Sequence, residues 1–221
     1  MPLITFDLDG TLVLSSLDLA NSTNDMLQSY GAPALPVNAV TAMVGEGARK
    51  LVERAMAASG LEPTRAGALE RFRQIYDRRL LEHTRPYDGI VAVVRDAARR
   101  ARLAVLTNKP EGPTRRLLEA FDLLAPFAWI IGGDSGFPRK PDPASVRHLM
   151  TEAAAPAADT LFVGDSMIDV ETARRSGVRI CVARYGFGHL RGELVLTGDE
   201  LVAMNPLEVG VAIDRCFRTD R

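Results

Sequence analysis

Leu3-Ile4-Thr5-Phe6-Asp7-Leu8-Asp9-Gly10-Thr11-Leu12 is the stretch on which the reading of this chain turns. Leu3 to Leu8 has the composition of a short buried strand, and it runs straight into two carboxylates one residue apart. Residues i and i+2 face the same way only while a chain stays extended, so Asp7 and Asp9 can address one ligand. Gly10 then permits a sharp turn. A strand that delivers two acids to its own carboxyl end predicts a sheet with a polar site at one edge.

Four further runs have strand character: Leu103 to Thr107, Trp129 to Ile131, Thr160 to Val163 and Arg179 to Ala183. Helix-length segments separate most of them. Ile90, Val93, Val94, Ala97, Ala98 and Ala101 follow helical spacing, as do Val146, Leu149, Met150 and Ala153, so each segment offers one apolar face. Strands alternating with such helices predict an α/β fold, a parallel sheet with helices on both faces.

Residues from about Ser15 to His83 break this alternation. Leu17, Ala20, Leu27 and Tyr30 form one apolar stripe, Ala48, Leu51, Val52, Ala55 and Met56 a second ended by Gly60, and Leu69, Phe72, Tyr76 and Leu80 a third. An all-helical insert over 15–83 is expected, leaving 1–14 and 84–221 as the core domain. Grafted after the first strand, the insert would hang over the strand ends.

Those ends carry the chemistry, because ligands in open parallel sheets bind outside the carboxyl ends of the strands. Asp7 and Asp9 follow the first strand, Thr107 and Asn108 end the second, Lys140 follows the third, and Gly164-Asp165 ends the fourth with Asp169 just beyond. An Asp after a strand is ordinarily a turn former or helix cap, and a single Lys is ordinarily a solvated charge. Several acids gathered at one edge repel one another unless a cation compensates, and a divalent ion bound by oxygen ligands is the natural compensation.

Bulk composition narrows the partners. The 221 residues carry 28 acidic and 27 basic side chains, a formal net charge of -1, which gives no long-range field for nucleic acid or an anionic membrane. No apolar run reaches the ~18 residues of a bilayer span, and Met1-Pro2-Leu3-Ile4 lacks the basic region of a signal peptide, so a cytoplasmic protein is expected. Two cysteines, Cys181 and Cys216, are too few for a disulfide framework and read as buried thiols. His83, His148 and His189 show no metal-ligand spacing, and Trp129 reads as core.

Phe6-Asp7-Leu8-Asp9-Gly10-Thr11-Leu12, Leu106-Thr107-Asn108-Lys109-Pro110, Arg139-Lys140-Pro141 and Phe162-Val163-Gly164-Asp165-Ser166-Met167-Ile168-Asp169 resemble, in order and spacing, the four motifs of the haloacid dehalogenase superfamily. The helical insert, Val44-Gly45-Glu46-Gly47-Ala48 and Ile131-Gly132-Gly133-Asp134 resemble its phosphoglycolate phosphatases. The resemblance covers nearly the whole chain. It implies a Rossmann-like core with a helical cap, and hydrolysis of a small phosphorylated metabolite by a monomer or homodimer. Asp7 would be the nucleophile, Asp9 the general acid and base, Thr107 and the Asn108 backbone N–H the phosphate holders, and Lys140 the charge neutraliser. It further implies Mg2+ held by Asp7, the Asp9 carbonyl and Asp165, with Asp169 close by.

In this family the turn at Gly45, Glu46 and Gly47 reaches down to the substrate, so these residues and Arg49 are expected to select the leaving group, Arg49 through a substrate carboxylate. Leu14 stands where the family usually has an acid, and Met167 and Ile168 where it is commonly polar. A sugar phosphomutase, a phosphatase for another ester such as a nucleotide, and a non-catalytic binding protein of the same fold are the competing readings. Tyr185-Gly186-Phe187-Gly188 follows the last clear strand, where it could line the crevice, but a glycine-rich turn by itself is a weak signal.

Overall fold

The computed structural model describes residues 1–192 and 194–217. In chain order these form β1 (Leu3–Phe6), β2 (Val13–Leu14), α1 (Ser16–Ser29), α2 (Val37–Thr41), α3 (Ala48–Ala58), α4 (Ala68–Arg79), β3 (Arg85–Pro86), α5 (Ile90–Ala97), β4 (Arg102–Leu106), α6 (Glu111–Ala120), β5 (Phe127–Ile131), α7 (Ala144–Glu152), β6 (Thr160–Gly164), α8 (Met167–Ser176), β7 (Arg179–Ala183), β8 (Leu201–Ala203) and α9 (Pro206–Phe217). Six strands make one parallel sheet in the order β5-β4-β1-β6-β7-β8. The strand β8 and the two-residue pair β2-β3 were absent from the sequence expectation, and the α5 helix stops at Ala97, ahead of Ala101.

Side-chain alternation along β1 explains the layering. Ile4 and Phe6 join Val105, Leu161 and Val163 on the face covered by α5, α6 and α9, where Ile90, Val94, Leu117, Val209 and Ile213 complete the core. Leu3 points the other way, with Ala104, Leu106, Phe162, Ile180 and Val182, against Val146 and Leu149 of α7 and Val170 and Ala173 of α8. Burial on both faces is why these strands read as nearly continuous apolar runs. Cys181 is buried in the first layer, and Cys216 is only half-buried; both are free thiols.

β1 lies between β4 and β6, and the chain reverses its direction of travel across the sheet there: β4 and β5 extend one way from β1, β6 to β8 the other. Such a reversal opens a crevice at the carboxyl ends. Asp7, Thr107 and Asp165, each the first residue past its strand, therefore converge on one place.

Helices α1 to α4 are inserted between β2 and β3, which pair antiparallel through Val13↔Pro86 and Leu14↔Arg85 and tie the two connecting segments together. Leu14 thus belongs to this connecting ladder. A second clasp lies beside it. The Asp18 carboxylate, fully buried on α1, accepts hydrogen bonds from the backbone N–H groups of His83 and Thr84 at 2.8 to 3.0 Å, and from the Thr84 hydroxyl at 2.8 Å. The His83 ring Nδ1 lies 2.9 Å away as well. Although burial pushes the Asp18 carboxyl up, these donors hold it below the usual carboxylate range.

Removing that carboxylate leaves the buried N–H and hydroxyl of Thr84 without their acceptor, so Asp18→Ala is expected to cost on the order of 3 kcal/mol. Urea unfolding followed by circular dichroism measures it; a loss under ~1 kcal/mol would show that the clasp does not tie the insert to the core.

Candidate active site

Three buried carboxylates meet at the crevice. Asp7, Asp165 and Asp169 each place an oxygen within 4.8 Å of the others. Lys140, buried, reaches into this group with Nζ 2.8 Å from Asp7 Oδ1 and 2.7 Å from Asp169 Oδ1. Asp169 is doubly committed, because its Oδ2 accepts from the Ser166 backbone N–H at 3.1 Å and the Ser166 hydroxyl at 2.7 Å, a reciprocal cap on the start of α8. Ser166 is therefore the helix cap, which leaves Asp165 free to face the crevice. Asp165 Oδ2 accepts the Gly188 N–H at 2.7 Å.

One ammonium against three carboxylates leaves an excess of buried negative charge. Burial pushes the Asp7 carboxyl up to about 6, with Lys140 opposing and Asp169 adding to the rise. Asp165 is pushed well above the usual carboxylate range by burial and then by the charges of Asp169 and Asp7. Gly10 adopts φ 87°, and a Cβ there would run into the Asp165 carboxylate, so the turn after Asp9 brings bare backbone against an acid. Oxygen donors at this spacing, under-neutralised and closely approached by backbone, fit a hard divalent cation.

Asp9 faces the opposite side of the site. Its carboxylate accepts from Ser15 Oγ at 2.6 Å and from Lys109 Nζ at 3.1 and 3.2 Å. Lys109, also buried, donates to the Tyr76 hydroxyl of α4 at 2.6 Å. The acids around Lys109 keep its ammonium charged despite burial, and burial pushes the Tyr76 phenol up to about 12. Ser15, Lys109 and Tyr76 were not expected in the site. Lys109 belongs to the Leu106 to Pro110 motif, to which the resemblance gives no role for it, and Tyr76 was legible only as one member of a buried helical stripe.

Thr107 is buried at the end of β4, and its hydroxyl accepts the Lys109 N–H at 3.2 Å. The Asn108 side chain is a clamp: Nδ2 donates to the carbonyls of Gly45 at 2.9 Å and Lys140 at 3.1 Å, and Oδ1 accepts the Lys140 N–H at 3.0 Å. One amide thus joins the β4 end, the Lys140 loop and the turn of the insert.

A cavity of about 490 Å³ opens above these groups, with Asp7, Asp9, Thr107, Asn108, Lys109 and Asp165 at its floor and residues of α3 and α4 as its opposite wall. Gly45 and Gly47 line it, as does the Phe187-Gly188 segment; Glu46 and Arg49 do not. Arg49 is exposed on the first turn of α3. The Glu46 carboxylate is paired with Arg54 of α3 and, at 2.6 Å, with Arg191 of the segment after β7; burial opposes these cations, but they hold it below its ordinary range. The sequence grouped Gly45, Glu46, Gly47 and Arg49 together, and the fold separates them: two glycines at the cavity, one acid latching insert to core, one arginine in solvent. A side chain at Gly45 would meet Ile168, so this apolar departure from the family pattern lies beside the turn.

Known proteins are similar to this chain in sequence and fold. The family model described as haloacid dehalogenase-like hydrolase matches residues 4–183. A phosphoglycolate phosphatase of Rhodospirillum rubrum is 43% identical over 192 residues, covering 83% of this chain and 80% of the relative. Phosphoglycolate phosphatase 1 of Pseudomonas aeruginosa is 42% identical over 197 residues, covering 86% of this chain and 71% of its own length. Among solved structures, a predicted phosphoglycolate phosphatase from Haemophilus somnus superposes with a TM-score of 0.86 at 28% identity, over 95% of this chain and 96% of that one. A six-stranded parallel sheet, four motifs on its carboxyl edge and relatives matched over most of their length lead to one conclusion: the chain belongs to the haloacid dehalogenase-like hydrolases, and within them it is phosphoglycolate phosphatase-like.

Proposed function

We propose that this phosphatase hydrolyses small phosphomonoesters, phosphoglycolate among them, through a phosphorylated Asp7, with Mg2+ as its cation. The observation that carries the reading is the position of Asp7: its carboxylate is gripped by Lys140 on one side, and it lies at the floor of a cavity that Asp9 shares. The names of the relatives supply the ester class.

Asp7 would attack phosphorus and displace the ester oxygen, to which Asp9 gives a proton as the P–O bond breaks. Asp9 would then take a proton from the water that attacks the phosphorylated Asp7, releasing phosphate and restoring both carboxyl groups. Lys140 holds Asp7 in line and offsets charge on the transferring phosphoryl group, with Thr107 and the Asn108 N–H bonding its oxygens. Asp7, Asp165 and the Asp9 carbonyl would hold the cation, with Asp169 fixing Lys140 beside it. The bound ion would supply charge shielding that lets an anionic carboxylate approach an anionic phosphate. Residues 15–83 act as a cap that excludes water from the cavity, over a core of 1–14 and 84–221.

The decisive assay is a phosphate-release panel with Mg2+ over phosphoglycolate, sugar phosphates and nucleotides. Release from phosphoglycolate with the highest kcat/KM is expected; preference for nucleotides would move the substrate elsewhere, and phosphate returned to a sugar would mark a mutase. Asp7→Asn is expected to lower kcat by at least ~10⁴-fold, and native-rate cleavage by that variant would contradict the mechanism.

Cation binding also has a pH signature. Asp7 and Asp165 bind protons more tightly folded than unfolded, so in the cation-free protein Asp7 costs stability as pH rises from the ordinary carboxylate range through about 6, and Asp165, raised in the same direction, adds a loss of the same sign. A divalent ion displaces those protons. Saturating Mg2+ is therefore expected to raise Tm more at pH 7.5 than at pH 5, by up to ~2.7 kcal/mol equivalent at a hundredfold excess over Kd, and Asp165→Asn is expected to abolish the rise. An equal rise at both pH values, or one that survives Asp165→Asn, would place the ion elsewhere.

A further inference from the structure

Among the described residues, Lys109 is the one member of the catalytic edge whose contacts run both to an acid of the core and to a hydroxyl of the insert. It is buried, its Nζ lies 3.1 and 3.2 Å from the two oxygens of Asp9, and it donates to Tyr76 at 2.6 Å. The ammonium sits 4.6 Å from the Tyr76 ring centroid, a separation that follows from its bond to the phenol oxygen at the edge of the ring. Tyr76 itself is fixed: it stacks on Phe72 with ring centroids 5.6 Å apart and 10° between planes, within the buried face of α4. Opposite, Ser15 Oγ at 2.6 Å from Asp9 Oδ1 comes from the segment that leads into α1. The Asp9 carboxylate is thus held on one side by Ser15, at the entry to the insert, and on the other by Lys109 of the core, which Tyr76 of the insert holds in turn. Asp7, in contrast, takes its ion pair from Lys140 of the core.

We infer that Tyr76 and Lys109 are positioning residues for Asp9: α4 of the insert places Lys109 through Tyr76, and Lys109 places the Asp9 carboxyl for proton transfer to the leaving oxygen. This rests on the acid–base role given to Asp9 above. In the step it serves, the Asp9 O–H bond breaks, an O–H bond forms on the leaving oxygen, and the P–O electron pair passes to that oxygen. Lys109 and Tyr76 exchange no proton; they fix the direction from which one is delivered. A carboxyl turned away from the leaving oxygen still leaves Asp7 free to attack, so the loss falls on esters that cannot depart without a proton.

The test compares kcat/KM, which reports the chain of events up to departure of the alcohol, for three esters with Mg2+. p-Nitrophenyl phosphate has a leaving group that departs without protonation, 2-hydroxyethyl phosphate has an uncharged alkyl one, and phosphoglycolate has a carboxylated alkyl one. Lys109→Met is expected to reduce kcat/KM for both alkyl esters roughly 30-fold more than for the aryl ester, on the order of a general-acid contribution. Tyr76→Phe, which keeps the ring and its stacking, is expected to show the same selectivity at roughly 5- to 10-fold, and Lys109→Arg to recover part of it.

Asp9→Asn is the reference. Should it reduce the alkyl esters selectively while Lys109→Met and Tyr76→Phe reduce all three esters alike, the inference is wrong and the acid–base reading survives. If Asp9→Asn is itself unselective, both fall together. A loss confined to phosphoglycolate would show Lys109 binding the substrate carboxylate directly, which also overturns the positioning role.

Discussion

The site is organised by an excess of buried negative charge. Asp7, Asp165 and Asp169 share a space a few ångströms across, and Lys140 answers them with a single positive charge. Such a cluster persists only where hydrogen bonds and a rigid frame hold it. The frame here is the parallel sheet: β1, β4 and β6 are neighbours, so the residues ending each strand have no other place to go. Ser166 binds one oxygen of Asp169, and Lys140 the other; Gly188 binds Asp165. Each acid is thereby given a different local environment, and only Asp7 combines contact with Lys140 and a place on the cavity floor.

The insert is coupled to this edge by polar contacts that differ in kind. Asp18 ties the two connecting segments through buried hydrogen bonds and is a matter of stability. Asn108 holds the Gly45 carbonyl, and Glu46 pairs with Arg191, so the turn before α3 is fixed to both sides of the crevice. Tyr76 reaches Lys109 from α4. Together these contacts hold the insert above Asp7 and Asp9, as one wall of the cavity.

Much of this was legible in the sequence, for physical reasons that also explain what was not. Strands buried on both faces announce themselves as apolar runs, and the polar residues at their carboxyl ends named Asp7, Thr107 and Asp165, although the runs read as Leu3 to Leu8 and Leu103 to Thr107 pass the strand ends at Phe6 and Leu106. The fold class and the all-helical content of the insert followed from periodicity. Three-residue β8 and the two-residue strands β2 and β3 are too short to carry a period, and α5 ends at Ala97 because periodic spacing to Ala101 does not register where backbone hydrogen bonding stops. Apolar stripes report burial and not neighbours, so Tyr76 looked like any core aromatic. The turn at Gly45, Glu46 and Gly47 was found as a unit, but which side chains face a cavity depends on the turn's dihedral angles, and Glu46 and Arg49 point elsewhere. Tyr185-Gly186-Phe187-Gly188 carried a weak signal, and its Gly188 N–H proved to be a partner of Asp165.

A covalent phosphoryl group on Asp7 is the claim to which the rest is subordinate. Rapid acid quench during turnover with phosphoglycolate and Mg2+, followed by borohydride reduction and peptide mass spectrometry, converts a phosphorylated aspartate into homoserine at its own position. Homoserine at residue 7, dependent on substrate, is the result expected. Its absence while phosphate accumulates, or its appearance at residue 9 or 165 instead, would contradict the account.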